Sequence, residues 1–462
     1  MFKRFLPLLL LVPALVCCKE DIVPDPLDGP DYENAAPRIV SGETYLANSE
    51  YTEKFLTEVD YPDQTFTQYT KIFDYYGGFN GKSYDGKVLD WKSWKKEWPD
   101  GDKPNSYSIR WERDPLAGAY TLVLSDKLGW SSETSVKAGS CYVDITNLVP
   151  DDEYTYKVTA EDGKVVAEGN FKTKGHLHQV FFNNKCRNAR DLGGWKTVDG
   201  KTVKYRKVYR GGRMNDPWET MLNASGKKEV LAEGIGAELE LRGSDDYMTV
   251  PAVTGLDHCH PCIEEGGKVM LGVTKPSAKN CAKWLVLDPG SPWTQEQKAP
   301  YFNTDGKVNK DELGKIVPTN DEYDQFQTAY KAKTKECFEF VASSVKAGKG
   351  VYFHCSLGRD RTGTMGVIIL GLLGVREGDI SKEYELTYFA PVGFSVSSSD
   401  QASNPEPIFK NDRMHWVYSD IVPYFWDLST DGTFASGVEK YLRDVAGVSQ
   451  STINEFRTNM LQ

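Results

Sequence analysis

The fold is decided by residues 351–364, which read VYFHCSLGRDRTGT. Their first three side chains are β-branched or aromatic, as is typical of a buried parallel strand. The largely apolar run from Met365 to Leu373 favours a buried helix. One cysteine, two arginines and two glycines lie between these two segments. The stretch therefore predicts a strand, a tight loop and the start of a helix.

The predicted loop has the composition of a site for an oxyanion such as phosphate. A helix N-terminus offers unpaired N–H groups and the positive end of the helix dipole. Arg361 can hold two phosphate oxygens with its planar fork. Cys355 begins the loop, and nearby guanidinium groups favour its thiolate over the thiol, whose pKa is ordinarily near 8.5. Such a thiolate could attack phosphorus and form a phosphocysteine.

Four segments carry a family resemblance. His354-Cys355, five residues and then Arg361-Thr362-Gly363 resemble the signature loop of cysteine-dependent tyrosine and dual-specificity phosphatases. Residues 359–363 are more similar to a bacterial branch with a lysine-aspartate-arginine-threonine-glycine run, some of whose members accept phosphoinositides. Three further segments stand in that branch's order: 188–194 (NARDLGG), 208–213 (VYRGGR) and 240–242 (ELR). The resemblance covers roughly residues 180–460.

The resemblance assigns roles to residues of this chain. Cys355 is the expected nucleophile, Arg361 the phosphoryl-binding group, Thr362 the hydrogen-bond donor to the thiolate, and Asp360 the first candidate for general acid. The substrate-binding residues are expected to be Ser356, Leu357, Gly358, Arg359 and Gly363. The supporting residues are expected to be His354, Arg190, Asp191, Asp245 and Asp246.

Several of these assignments have alternatives. Asp245 and Asp246 are further candidates for the general acid, because they follow a predicted core strand, 235–242. Arg190 and Asp191 either hold the loop or form an ordinary surface ion pair. Cys355 itself could be an inert buried cysteine.

The expected function is therefore hydrolysis of phosphomonoesters, with phosphotyrosine-type protein substrates, through a phosphocysteine intermediate. No cofactor or metal is required. An inositol-phosphate or phosphoinositide phosphatase is one alternative, since Arg359 adds positive charge to the loop. A surface protein that only binds phosphate is another. The expected partner is a phosphorylated protein or a small phosphomonoester.

The composition sets limits on these functions. The 462 residues suit two domains, and 40% hydrophobic with 26% charged residues indicates globular structure. The formal net charge of -11 argues against nucleic acid or an anionic membrane surface as the main partner.

The N-terminus predicts export. Lys3 and Arg4 precede an apolar run, 5–16, and then Cys17 and Cys18. This resembles a bacterial lipoprotein signal, 1–18, with Cys18 lipidated and Cys17 as the alternative. We expect an outer membrane lipoprotein of the bacterial envelope, periplasmic or surface-exposed, that contacts the membrane through its lipid only. A plain secretory peptide is the other interpretation, and export would expose the catalytic thiolate to oxidation.

Two domains are predicted beyond the signal. Residues 19–36 are rich in proline and acids and are expected to form a tether. Residues 37–174 predict an all-β sandwich, in which 148–150 followed by Tyr154 resembles a corner of fibronectin type III domains. Within it, Trp91, Trp94 and Trp98 form either a binding platform or a satellite core.

Residues 175–462 predict an α/β phosphatase domain, a central sheet flanked by helices, with an insertion at about 255–315. Residues 258–262 (HCHPC) leave a zinc site or a disulfide with Cys281 open, and the disulfide is favoured. Residues 301–312 resemble a calcium loop, but Tyr301 at the first ligand position favours a polar hairpin.

Overall fold

The computed structural model describes residues 27, 29–58, 103–182, 186, 188–215, 222–244, 249–389 and 421–462. Several predicted features lie outside these residues: the signal with Cys17 and Cys18, the tryptophans Trp91, Trp94 and Trp98, and the carboxylates Asp245 and Asp246. Among the helices of the described residues, none combines the length and the apolar character needed to cross a membrane.

The strands in the described ranges are β1 (Thr44–Leu46), β2 (Tyr107–Arg110), β3 (Tyr120–Asp126), β4 (Ser131–Val136), β5 (Tyr142–Ile145), β6 (Glu153–Ala160), β7 (Val165–Lys174), β8 (Arg190–Asp191), β9 (Val208–Gly211), β10 (Ile235–Glu240), β11 (Asp257–Cys259) and β12 (Gly350–His354).

The helices are α1 (Glu50–Glu58), α2 (Ala224–Ala232), α3 (Gly267–Met270), α4 (Ala278–Leu287), α5 (Gln295–Lys298), α6 (Lys310–Leu313), α7 (Asn320–Lys346), α8 (Asp360–Leu372), α9 (Glu377–Glu385), α10 (Val422–Leu428), α11 (Phe434–Lys440) and α12 (Gln450–Met460). A π-helical turn, Tyr441–Val445, follows α11, and 3₁₀ turns occupy Pro30–Tyr32, Ala299–Tyr301 and Leu386–Phe389.

The N-terminal strands form a five-stranded sheet, in the order β1-β7-β6-β3-β4, and an antiparallel pair, β2-β5. Alternation along β3 buries Tyr120, Leu122 and Leu124. Ile145 of β5 and Trp111, which directly follows β2, pack in the same core as these side chains. The two sheets are therefore joined by a common apolar core.

The corner before β6 is held by a side chain. The backbone N–H of Val149 donates to the hydroxyl oxygen of Tyr154 (2.8 Å), and Tyr154 is fully buried. A tyrosine hydroxyl bonded to backbone a few residues upstream in this way stabilises the chain reversal before the strand.

The C-terminal half has a mixed sheet flanked by helices, in agreement with the predicted α/β class. Its strand order is β11-β10-β12-β9-β8, and only β8 is antiparallel to its neighbour. Val351 and Phe353 of β12 pack in one core and Tyr352 in another, because successive side chains of a strand point to opposite faces. Helices α7 and α8 contact β12, and α2 contacts β10.

Two segments differ from the expected domain limits. Helix α1 lies inside the range assigned to the β-sandwich, yet Phe55 and Leu56 belong to the core of the C-terminal half. Strand β11 begins the expected insertion but pairs in parallel with β10, so it is part of the central sheet. Neither difference is visible locally, since both depend on contacts distant in the chain.

The structure also bears on two segments of the insertion. Residues 301–309 form the polar hairpin, with a bridge between Phe302 and Val308. The seven cysteines of the described residues are free thiols, so the favoured disulfide with Cys281 is wrong for this structure. Cys281 is fully buried in the apolar core of α4.

The two halves meet around Arg206. Its guanidinium pairs with Asp126 of β3 and lies over the ring of Trp130, 4.2 Å from the centroid. Its Nε is 3.7 Å from Oε2 of Glu233, at the end of α2. The indole Nε1 of Trp130 donates to the carbonyl of Ala232 (2.7 Å). One arginine thus binds groups from both halves.

Candidate active site

The loop between β12 and α8 is shaped by glycines. Gly358 has φ +71°, a conformation that favours glycine, and an added Cβ would lie within 3.0 Å of the Gly211 carbonyl group. A Cβ on Gly363 would lie within 3.0 Å of the ring of Tyr384. The loop therefore packs closely against β9 on one side and α9 on the other.

The carbonyl groups of the loop are bound by the surrounding scaffold. The backbone N–H of Arg213 donates to the Ser356 carbonyl (3.1 Å). The Asn188 side-chain amide donates to the Gly358 carbonyl (2.9 Å) and the Leu357 carbonyl (3.4 Å). These bonds direct the loop carbonyls away from its centre.

The backbone N–H groups of the loop, in contrast to its carbonyl groups, are not bonded to the surrounding scaffold that the structure describes. Within the described part of the chain, no acceptor is bonded to the backbone N–H of any residue from 356 to 360. These groups are followed directly by the N-terminus of α8, where the helix dipole adds positive potential. Consecutive unpaired N–H groups of this kind form an anion site.

Cys355 lies at the start of this loop and is 3% exposed. Burial raises the pKa of its thiol, but the positive charge of Arg361 and hydrogen bonds from the hydroxyl and N–H of Thr362 outweigh burial and lower the pKa. The Thr362 hydroxyl is buried and makes no well-aligned hydrogen bond in the described structure, so it is available to donate to the sulfur. The site thus favours a thiolate.

Arg361 stands in the first turn of α8. Its Nη1 donates to the carbonyl of Ile263 (2.8 Å), in the segment that follows β11. The N–H of Gly267 donates to the hydroxyl of Thr364 (2.8 Å), one turn further along α8. The 261–267 segment therefore positions both the helix and its arginine.

Arg359 and Asp360 form a two-pronged ion pair. Nε and Nη2 of Arg359 donate to the two carboxylate oxygens of Asp360 at 2.9 and 3.0 Å. The Arg359 side chain is 5% exposed and that of Asp360 is 23% exposed. The charge of Arg359 is therefore neutralised by its neighbour, and the proposed acid is held by the same bond.

His354 supports the loop from the strand side. Its Nε2 lies 2.9 Å from Oε1 of Glu238 and 3.7 Å from Oε2 of Glu240, and all three side chains are buried. Burial lowers the pKa of His354, but the charge of Glu240 and the bond to Glu238 raise it overall. Burial raises the pKa of Glu240, but His354 and Arg242 outweigh it and lower the pKa to about 2.

These three residues also bring one potential metal-ligand atom each within 4.8 Å of the others. Their charges are already matched, because Arg242 donates to Glu240 (2.6 Å) and His354 lies between the two carboxylates. The cluster is explained by ion pairing alone.

Arg190 and Asp191 have separate partners. Arg190 contacts Asn188, the residue that binds the loop carbonyls. Asp191 faces the junction of the two halves, where Oδ2 lies 3.0 Å from Nδ1 of His178 and accepts from the N–H of Arg206 (2.5 Å). Only Arg190 is therefore connected to the loop.

Three buried residues at the site were not among the expected site residues: Asn188, Arg210 and Glu383. Arg210 donates to the Gly358 carbonyl and also binds Glu383. Asn188 and Arg210 lie in the segments 188–194 and 208–213, which carry the family resemblance, so the resemblance could have identified them as site residues. Nothing in the local sequence of α9 distinguishes Glu383.

The comparisons agree with this geometry. A family described as the tyrosine phosphatase family matches residues 183–462. A Cupriavidus necator protein named a putative tyrosine-protein phosphatase is 23% identical over 211 residues, which are 45% of this chain and 62% of that protein. The matched range of the family contains the loop and all the side chains described above as binding it. The chain belongs to the tyrosine phosphatase family.

Proposed function

We propose that this protein is a cysteine-dependent phosphatase that hydrolyses phosphomonoesters, with phosphotyrosine-type proteins as substrates. The observation that carries the proposal is a buried cysteine with a lowered pKa at the start of a loop whose N–H groups, from 356 to 360, have no partner in the described structure. A thiolate beside a series of unpaired N–H donors suits attack on a bound phosphoryl group.

The reaction has two displacements. The Cys355 thiolate attacks phosphorus, the bond from phosphorus to the leaving oxygen breaks, and that oxygen takes its electron pair and a proton. Arg361 and the loop N–H groups bind the three remaining phosphoryl oxygens. Water then attacks phosphorus and gives a proton to the Asp360 carboxylate, the S–P bond breaks, and the Thr362 hydroxyl stabilises the departing thiolate. Inorganic phosphate is the second product.

We assign the proton of the first step to Asp360. Both of its oxygens accept hydrogen bonds from Arg359, so proton transfer requires this pair to open when substrate binds. Asp245 and Asp246 are the alternatives for this role.

The inositol-phosphate alternative depends on a free positive charge at Arg359. Because that guanidinium is buried and paired with Asp360, the charge is not available to a second phosphate in this state. The inositol-phosphate alternative therefore requires that the opening of this pair, which proton transfer also needs, exposes the Arg359 charge to the substrate.

We also propose that residues 37–174 form a fibronectin type III-like sandwich and that Cys18 carries the lipid of an outer membrane lipoprotein. The common core of the two sheets and the Val149–Tyr154 bond support the first proposal. The Cys18 proposal rests on the sequence of residues 1–21.

Hydrolysis of p-nitrophenyl phosphate by the full chain tests the proposed function. We expect activity under reducing conditions that is insensitive to chelator, lost in Cys355→Ser, and retained in Cys141→Ser, a buried free thiol of the N-terminal sheets. Activity that survives Cys355→Ser would refute the mechanism. Phosphate binding without hydrolysis would instead support a binding protein.

A further inference from the structure

A single buried carboxylate joins the two arginines beneath the loop. Oε1 of Glu383 accepts from Nε of Arg190 (2.7 Å), and Oε2 accepts from Nη1 of Arg210 (2.9 Å). The backbone carbonyl of Glu383 accepts a further bond from Nη2 of Arg190 (2.6 Å). Glu383, Arg190 and Arg210 are 1%, 3% and 0% exposed, so water cannot replace these bonds.

Each of these two arginines is in turn hydrogen-bonded to the loop, either directly or through Asn188. Arg210 donates directly to the Gly358 carbonyl through Nη2. Arg190 donates to the side-chain and backbone oxygens of Asn188, whose amide group binds the Leu357 and Gly358 carbonyls. Glu383 thus fixes the two groups that turn these carbonyls outward and leave the loop N–H groups directed inward.

Other residues of the segment 383–387 also pack beneath the loop, and we call this segment the floor of the loop. The ring of Tyr384 lies against Gly363, and the hydroxyl of Thr387 accepts from the Asn188 amide (3.2 Å). Glu383 is the residue of this floor that pairs with both arginines.

We propose that Glu383 is a positioning residue for the phosphatase reaction: by joining Arg190 to Arg210 it holds the loop in the conformation that activates Cys355 and binds phosphate. Glu383 touches neither the sulfur nor the substrate and acts through the two arginines. The proposal rests on the proposed function for its catalytic meaning, whereas its tests need no turnover.

The direction of the effect separates positioning from simple electrostatics. Replacing Glu383 by glutamine removes a negative charge near the site. If charge alone mattered, the pKa of Cys355 would fall and phosphate would bind more tightly. If Glu383 positions the loop, the arginines separate, the N–H groups lose their alignment, the pKa of Cys355 rises and phosphate binds more weakly.

The experiment compares Glu383→Gln with the wild-type full chain. Inorganic phosphate affinity is measured by titration, and the pKa of Cys355 by the pH dependence of its alkylation with iodoacetamide. We expect phosphate affinity to fall at least about ten-fold, as when one hydrogen bond to a charged group is weakened. The inflection of alkylation should move to higher pH.

Two further variants keep the proposal falsifiable. Glu383→Asp retains the charge but is one methylene shorter, so it should move both readouts in the same direction and serves if the glutamine variant does not fold. Glu233→Gln is the matched control, because Glu233 is also buried and paired with Arg206 but does not contact the loop. It should lower stability and leave both readouts unchanged.

A fall in the Cys355 pKa, tighter phosphate binding, or a lower melting temperature with both readouts unchanged would overturn the positioning role. Wild-type protein that binds phosphate and alkylates at low pH but hydrolyses nothing would refute the proposed function and leave the comparison of Glu383 variants valid.

Discussion

The contribution of Thr362 to the reactive thiolate can be isolated by one substitution. Thr362 is fully buried, its hydroxyl makes no well-aligned hydrogen bond in the described structure, and donation to the sulfur lowers the pKa of Cys355. Thr362→Val keeps the shape of the side chain and removes only the donor. A hydrogen bond to a charged group contributes about 1.5–3 kcal/mol, and about 1.4 kcal/mol equals one pKa unit. We therefore expect the pKa of Cys355 to rise by about one to two units.

The rate of Cys355 alkylation by iodoacetamide, measured against pH and localised by mass spectrometry, reports this pKa. The variant should react about ten to a hundred times more slowly at pH values below both inflections. The two rates should converge at high pH, where both thiols are ionised. Hydrolysis of the phosphocysteine should slow as well, because its leaving group is the same thiolate.

Thr364→Val is the matched control. Thr364 is buried on the same helix, but its hydroxyl accepts from Gly267 and donates to the Asp360 carbonyl (3.0 Å). This variant should lose stability and keep the wild-type inflection. An unchanged inflection in Thr362→Val, or an equal shift in both variants, would refute the assignment of the hydroxyl to the sulfur.

Three other predictions concern backbone, pH and the junction. Gly358→Ala should abolish phosphate binding and hydrolysis because its Cβ meets backbone, whereas Gly348→Ala, with positive φ but open space around it, should cost only about 1–2 kcal/mol of stability in denaturant titrations and leave activity intact. Glu240, with its pKa lowered to about 2 from 4.5, should contribute about 3 kcal/mol that is present above pH 4.5 and lost as pH falls toward 2. Urea unfolding across this range should show a flatter pH dependence for Glu240→Gln, and an equal slope would contradict the ion-pair account. Arg206→Met removes the ion-pair partner of the buried Asp126 carboxylate and should lower the free energy of unfolding by about 3–5 kcal/mol, so a loss below about 1 kcal/mol would show that the junction contributes little.

Local patterns were sufficient for the central part of the site. The strand before Cys355, the glycine-rich loop and the apolar helix after it follow from residue types at fixed positions. The α/β class followed from alternating strand and helix patterns. The opposite directions of Arg190 and Asp191 were also predictable, because they are successive residues of a strand.

Long-range contacts were not accessible in this way. The packing of α1 against the C-terminal core and the pairing of β11 with β10 join segments that carry no local signal for each other. The Arg359–Asp360 pair depends on side-chain rotamers, so the sequence alone did not reveal that these two predicted site residues bind each other. The contribution of Glu383 depends on which face of α9 meets the loop.

The floor beneath the loop also determines when a growing chain becomes reactive. Asn188 and Arg210 precede Gly358 by 170 and 148 residues, whereas Glu383 is made after the loop. A nascent chain that stops before Glu383 already contains the loop from Cys355 to Arg361, but it lacks the carboxylate that joins Arg190 to Arg210. On this account the Cys355 thiol would keep an ordinary pKa during synthesis and become nucleophilic only when α9 packs beneath the loop. The cysteine would then be spared oxidation and premature alkylation until the molecule is nearly complete.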